Sequence, residues 1–101
     1  MISLISPLEA QKSIAKKLKE HRLQHNLTQE GLSKRSGVPV ATLRKFEREG
    51  IISLESLVKL MMVLGVLDRA LKAVEVTHTF QTIDEVIKKE MKPKRKRGRI
   101  S

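Results

Sequence analysis

Residues 27–47 read LTQEGLSKRSGVPVATLRKFE, and this stretch restricts the fold more than any other part of the chain. Thr28 is of a residue type that caps helix N-termini, and Gly37 can adopt the positive φ that a sharp turn requires. Pro39 has a fixed φ and no backbone donor, which suits the first turn of a new helix. The stretch therefore predicts a helix over 29–36, a tight corner and another helix directly after it.

The helix after the corner has one apolar side and an outer side made of small and cationic residues. Leu43 and Phe46 are three residues apart and should face inward, while Leu32 and Val38 should pack at the corner between the two helices. The residues left on the outer side are Val40, Ala41, Thr42, Arg44 and Lys45. Small side chains at the start of this helix would let its backbone approach a surface closely, and the two cations would reach phosphates or a guanine edge.

Capping signals predict further helices on both sides of this pair. Residues 6–9, Ser-Pro-Leu-Glu, form a capping box with Pro at the first helical position, so a first helix should begin there and end near His25. Its apolar side carries Leu8, Gln11, Ile14, Ala15, Leu18, Arg22 and Leu23. Ser53 caps a fourth, apolar helix that Gly65 ends, and residues 67–74 describe a short fifth one. These patterns predict an all-α fold with five helices.

The charge of the chain restricts what it binds. The chain contains 21 Lys and Arg against 11 Asp and Glu, a net charge of +10, which favours nucleic acid as the partner. No cysteine is present, which fits a reducing compartment such as the cytoplasm. The longest apolar stretch, residues 60–67, is far shorter than the roughly 20 residues that cross a bilayer, so no membrane partner is expected.

Neither a catalytic site nor a metal site is predicted. His21 and His25 are four residues apart on the first helix and could share a metal, but no third ligand lies near them in the sequence. The sequence also lacks a phosphate-cradling glycine loop and a serine or carboxylate constellation. The chain is therefore predicted not to be an enzyme, and no cofactor is expected.

The sequence of residues 27–47 is similar to the helix-turn-helix of the XRE family, which includes Cro and the phage repressors. The shared features are a Thr-Gln opening, Leu32, a Gly-Val turn, Thr-Leu in the third helix and the closing Glu47. The similarity continues through Ser-Leu-Glu-Ser-Leu at residues 53–57 and covers about residues 8–74. It implies a five-helix, lambda-repressor-like fold in which the third helix lies in the major groove of double-stranded DNA and a homodimer binds two half-sites.

The resemblance also assigns roles to single residues. Gln29 matches a glutamine that contacts a phosphate and often a base edge. Arg22 and Glu47 match an ion pair that ties the first helix to the end of the third, so both are assigned to the fold. The residues that match or flank the DNA-contacting positions of the third helix are Pro39, Val40, Ala41, Thr42, Arg44, Lys45 and Arg48. The family usually has polar residues where Val40 and Ala41 stand, so base recognition here would include apolar contact with thymine methyls.

Residues 75–91 and 92–101 form a C-terminal extension and a basic tail, outside the helical domain predicted over 6–74. Alternating apolar residues predict a short strand at the start of the extension, and a capping box at residues 82–85 predicts a small helix after it. The tail is predicted to be disordered and to bind DNA phosphates. The tail residues assigned to DNA are Lys94, Arg95, Lys96, Arg97 and Arg99. Arg97-Gly98-Arg99 also resembles the core of an AT-hook, whose arginines lie in an A·T-rich minor groove.

Deleting residues 94–101 is expected to weaken DNA binding and to lower its salt dependence, because the deleted cations no longer displace counterions. The measurement is duplex affinity of the full and shortened chains over a series of salt concentrations. A larger loss on duplexes with A·T-rich flanks would support minor-groove contact. An equal loss on A·T-rich and G·C-rich flanks would contradict it and leave the phosphate interpretation.

Two functions agree with these features. One is a dimeric repressor that occupies a palindromic operator and excludes polymerase, as a phage Cro-like regulator does. The other is an antitoxin that docks on a kinase-like toxin through residues 75–91, since the size and the extension are similar to those of HipB-type regulators, whose partners are HipA-like kinases. The two roles can coexist in one autoregulated toxin-antitoxin operon. The resemblance implies a bacterial cytoplasmic protein that is bound to the nucleoid when it binds DNA.

Overall fold

The computed structural model describes residues 5–76, and this part of the chain folds into five α-helices. They are α1 (Pro7–Gln24), α2 (Gln29–Ser36), α3 (Val40–Glu49), α4 (Leu54–Leu64) and α5 (Leu67–Ala73). The described residues contain no β-strand, so the predicted all-α fold with five helices is confirmed. None of these helices combines the length and the apolar character needed to cross a membrane.

The ends of α1 follow the capping signals in the sequence. The Ser6 hydroxyl accepts a hydrogen bond from the backbone N–H of Glu9 at 3.1 Å, and the Glu9 carboxylate accepts one from the backbone N–H of Ser6 at 2.9 Å. After Gln24 the chain turns through His25 and Asn26, and Asn26 adopts the left-handed conformation with φ of 57°. The predicted start and end of the first helix are therefore confirmed.

The corner between α2 and α3 is closed by polar contacts around one buried side chain. Gly37 ends α2 with φ of 80°, and Val38 is completely buried behind it. The Ser33 hydroxyl donates to the carbonyl of Val38 at 2.6 Å, and the backbone N–H of Val38 donates to the Ser36 hydroxyl at 3.1 Å. These bonds satisfy both backbone groups of a residue that water cannot reach, so the angle between the two helices is held firmly.

Pro39, which was predicted to lie in the first turn of the helix, lies just outside α3, and the helix begins one position later at Val40. Its ψ of 143° is extended, and its carbonyl accepts the first hydrogen bond of the helix from the N–H of Leu43 at 3.0 Å. Pro39 therefore acts as the N-cap residue of α3, because only its carbonyl, and not its backbone torsion, belongs to the helix.

The hydrophobic core lies between the first four helices. α1 packs against α3 and α4, α2 packs against α3 and α4, and α5 packs against α4. The buried apolar residues are Ala15, Leu18, Leu32, Val38, Leu43, Phe46, Leu60, Leu64 and Val66. The predicted inward positions of α2, α3 and the corner are confirmed. The core is small, so each of these side chains carries a large share of the apolar burial.

The apolar side predicted for α1 is wider than the contact it makes. Ala15, Leu18 and Arg22 are buried, but Leu8, Ile14 and Leu23 remain about half exposed. Apolar residues at three- and four-residue spacing form a broad stripe along a helix. The helices that pack against α1 are α3 and α4, and they cover only the centre of this stripe. The apolar side of α1 is therefore buried at its centre and exposed at its edges.

The close approach of α1 to the end of α3 depends on a glycine. Gly50 ends α3 with φ of 78°, and its carbonyl accepts a hydrogen bond from the side-chain amide of Gln11 at 2.9 Å. A Cβ atom at position 50 would lie 2.9 Å from the backbone of both Gln11 and Lys12. Position 50 therefore lies directly against the α1 backbone, which fixes the place of α3 on the domain.

The predicted C-terminal elements lie almost entirely outside the described residues. α5 ends at Ala73, and the next residues, up to Val76, are exposed. The alternating segment after Val76, the small helix after residue 82 and the basic tail at 92–101 all fall outside residues 5–76. They stay predictions from the sequence.

Candidate nucleic-acid interface

The outer face of α3 presents small and cationic side chains together. Leu43 and Phe46 are 1% and 2% exposed and anchor the inner face. Ala41, Lys45 and Arg48 recur at the four- and three-residue spacing that places side chains on one stripe of a helix, and all three are exposed. The stripe lies opposite the buried pair, so it is the part of α3 that another molecule can reach.

The remaining positions predicted to contact DNA flank this stripe. Val40 and Thr42 are half-buried, while Pro39 and Arg44 are exposed. A shallow, mainly apolar cleft between the start of α2 and the start of α3 is lined by Glu30, Gly31, Ser33, Lys34 and Val40. Val40 therefore faces this cleft at the edge of the outer face and offers an apolar surface beside the polar groups of α2.

A buried ion pair joins α1 to the end of α3. Arg22 Nε donates to Glu47 Oε2 at 2.8 Å, and Arg22 Nη2 donates to Glu47 Oε1 at 3.1 Å. The side chains are 8% and 6% exposed. Arg22 Nη1 also donates to the carbonyl of Leu27 at 2.8 Å, between α1 and α2. One guanidinium thus ties together three parts of the domain and is unavailable to DNA.

Gln29 is held in one orientation by two charged neighbours. Its side-chain nitrogen donates to Glu47 Oε1 at 2.9 Å, and its side-chain oxygen accepts from Arg44 Nε at 3.2 Å. A carboxylate can only accept and a guanidinium can only donate, so this orientation of the amide is the one that suits both partners. Among residues 5–76, one N–H of the amide has no acceptor, and this is the group that Gln29 can offer to a phosphate.

Arg44 and Arg48 both have acidic neighbours at the surface. Arg44 Nη2 lies 2.5 Å from Glu30 Oε2, and Arg48 Nη2 lies 2.8 Å from Glu49 Oε2. All four side chains are at least 40% exposed, so water screens both pairs and each contributes little to stability. Lys45 forms no ion pair within residues 5–76. A phosphate that binds either arginine would therefore take the place of a carboxylate that the arginine already contacts.

A polar cleft beside α3 brings cations from two helices together. It is lined by Lys19, Gln29, Arg44, Glu47 and Arg48. Lys19 is an exposed α1 residue that was not among the predicted binding residues. The sequence did contain a signal for Lys19. It lies three residues before Arg22, and residues three apart share a helix face, so this spacing indicates that Lys19 lies on the side of α1 that faces the end of α3. Since Glu47 is neutralised by Arg22, the accessible charges of the cleft are positive, which suits an anion.

The two histidines that the sequence places four residues apart lie at the C-terminal end of α1, His21 within the helix and His25 as its C-cap. His25 Nδ1 lies 2.8 Å from the carbonyl oxygen of His21, and the side chain of His21 is half-buried. Within residues 5–76, no three His, Cys, Asp or Glu side chains lie close enough to hold a metal ion. The tail residues predicted to contact DNA lie outside the described residues.

Comparison with known protein families identifies the family to which the helical domain belongs. A model of the helix-turn-helix family (HTH_3) matches residues 18–69, which is more than half of the 101 residues. The match begins in α1 and ends in α5, so it includes the α2–α3 corner, the outer face of α3 and the network around Glu47. No curated protein matches the chain significantly. The chain belongs to the XRE/Cro-type helix-turn-helix family, the members of which are DNA-binding transcription regulators.

Proposed function

We propose that this protein is a sequence-specific repressor that binds a palindromic operator as a homodimer, with α3 of each subunit in the major groove. The observation that carries this proposal is the outer face of α3, where exposed Ala41, Lys45 and Arg48 lie opposite the buried Leu43 and Phe46. A groove binder needs a slim helix that can approach base edges and cations that can reach the phosphates on either side.

Phosphate contacts in this proposal come from the polar cleft beside α3. Lys19 and Arg48 supply positive charge at its walls, and Gln29 offers its remaining amide N–H. The Gln29 amide is already held by Glu47, so little side-chain entropy is lost when it donates to a phosphate oxygen. Such contacts position the protein on the duplex without selecting a sequence.

Base recognition in this proposal combines apolar and cationic contacts. Val40 and Ala41 at the start of α3 suit thymine methyl groups, and Lys45 suits the O6 and N7 acceptors of guanine. Thr42, which is half-buried, has a hydroxyl that can both donate and accept. Operators that place thymine and guanine under these residues are therefore the favoured class.

Exposed apolar side chains support the homodimer. Three large apolar side chains are exposed: Leu54 (74%) and Met62 (62%) of α4, and Leu71 (55%) of α5. Their exposure adds nothing to the stability of an isolated domain. A two-fold interface would bury one such surface on both subunits at once. It would also set the two α3 helices about 34 Å apart, which is one turn of the duplex.

The test of this proposal is selection of bound fragments from a random duplex pool, followed by affinity measurements on the selected site. Lys45→Ala and Thr42→Ala are each expected to weaken binding to that site by about 1 to 3 kcal/mol if the side chain makes a good base contact. The matched control is Lys16→Ala, because Lys16 is an exposed α1 lysine on the side away from the core. Equal effects of Lys45→Ala and Lys16→Ala, or no enriched sequence, would contradict the assignment of α3 as the recognition helix.

The antitoxin role stays a prediction from the sequence. It depends on residues 75–91, nearly all of which lie outside the described part of the chain. Co-purification with a kinase encoded beside the protein would support the role. Phage genes on both sides would instead support a Cro-like regulator.

A further inference from the structure

Glu30 is an acidic side chain on a surface whose other charged groups suit DNA. It is the second residue of α2, after the Thr28 cap and Gln29. Its carboxylate is 66% exposed and lies 2.5 Å from Arg44 Nη2, on the outer side of the α2–α3 unit. The helix dipole stabilises a carboxylate at the start of a helix, so the position of Glu30 is electrostatically favourable in the free protein. A second anion that approached this position would be repelled by Glu30.

The contacts of Arg44 show what DNA would have to displace. Arg44 donates through Nη2 to Glu30 and through Nε to Gln29, so its guanidinium is turned toward α2. A phosphate that binds Arg44 must either replace the carboxylate of Glu30 or lie close to it. Two anions near one guanidinium repel each other, and the repulsion is felt by every duplex irrespective of its sequence.

We propose that Glu30 is a residue that lowers sequence-independent DNA binding, by competing with phosphates for Arg44. The proposal rests on the proposed function, because it concerns the same DNA-binding surface. A net charge of +10 attracts any duplex through its phosphates, and sequence-independent binding of this kind would keep a regulator away from its operator. Glu30 lowers this sequence-independent binding because Arg44 can bind a phosphate only when the Arg44–Glu30 ion pair opens.

The test measures affinity for one random-sequence duplex at several salt concentrations, with the full chain and its variants. Glu30→Gln is expected to bind about fivefold more tightly, the size of one like-charge repulsion at about 4 Å in water. Its log affinity should fall more steeply with log salt, by up to about 0.9, if one further phosphate is neutralised. Glu20→Gln is the matched control, since Glu20 is an exposed α1 residue and the substitution changes the net charge equally.

A double-mutant comparison separates competition for Arg44 from a general charge effect. Arg44→Gln is expected to weaken binding strongly in the Glu30→Gln background and only slightly in the original chain, because Arg44 is already occupied there. Equal effects of Glu30→Gln and Glu20→Gln, or weaker binding by Glu30→Gln, would overturn the proposal. A chain that binds no duplex at all, before any substitution, would instead refute the proposed function.

Discussion

Replacing Arg22 with Met is expected to lower the free energy of unfolding by about 3 to 5 kcal/mol, the range for a buried ion pair that loses one partner. The loss arises because the side chain of Glu47 is 6% exposed and would be left in the interior without its cation, with Gln29 as its one remaining side-chain donor among residues 5–76. The carbonyl of Leu27 would also lose the Arg22 Nη1 donor. Met retains much of the apolar volume of Arg, so the effect would report the lost charge contacts rather than a cavity.

Replacing both members of the pair provides the control for this prediction. Arg22→Met combined with Glu47→Leu removes the stranded carboxylate together with its partner, and apolar replacement of a buried pair is often neutral. The double variant is therefore expected to recover most of the stability that the single variant loses. Urea unfolding followed by far-UV circular dichroism measures both. Equal losses in the two variants would mean that packing, and not the stranded charge, makes Arg22 necessary.

The second large effect is expected at Gly50. Gly50→Ala should destabilise the domain by about 2 to 4 kcal/mol, combining the left-handed backbone penalty of a residue with a Cβ and the cost of overpacking. The steric part arises because the new Cβ would lie 2.9 Å from the backbone of Gln11 and Lys12, and helix backbone cannot move aside as a flexible side chain can. α3 would have to shift away from α1.

Gly37 is the matched control, because it has nearly the same backbone conformation in open space. Its φ is 80°, against 78° at Gly50, and a Cβ built at position 37 has no atom within 4 Å. Gly37→Ala is therefore expected to cost only about 1 kcal/mol, the backbone part alone. Thermal unfolding of both variants under the same conditions measures the difference. Equal destabilisation would show that α1 and α3 are not in the close contact described above.

Local chemistry explains why much of the fold could be predicted from the sequence. Ser6, Thr28 and Ser53 each cap the helix that follows, and Gly37 and Gly65 each end a helix in the left-handed conformation. These are interactions over three or four residues, so they act whatever the rest of the chain does. The same reasoning predicted the inner face of α3, because a short helix beside a tight corner has only one side that its neighbours can cover.

The candidate site was predicted less completely, because its groups come from separate helices. The family resemblance predicted Gln29 and Arg44 as DNA-contacting residues, but the sequence could not show that Arg44 is bonded to Glu30 or that Gln29 is held by Glu47. Lys19 was not selected at all. The two contacts join residues 14 and 18 positions apart, and such pairs meet only after α2 and α3 have packed.

The sequence by itself determined the helices, the corner, the positive charge and the outer face of α3, since caps, φ preferences and side-chain spacing act within a few residues. The tertiary structure alone decided which half of the α1 stripe is buried, why residue 50 has no room for a side chain, and which cations are already paired. The physical reason is distance: packing, steric exclusion and ion pairing depend on how close separate helices come, and no local pattern encodes that separation.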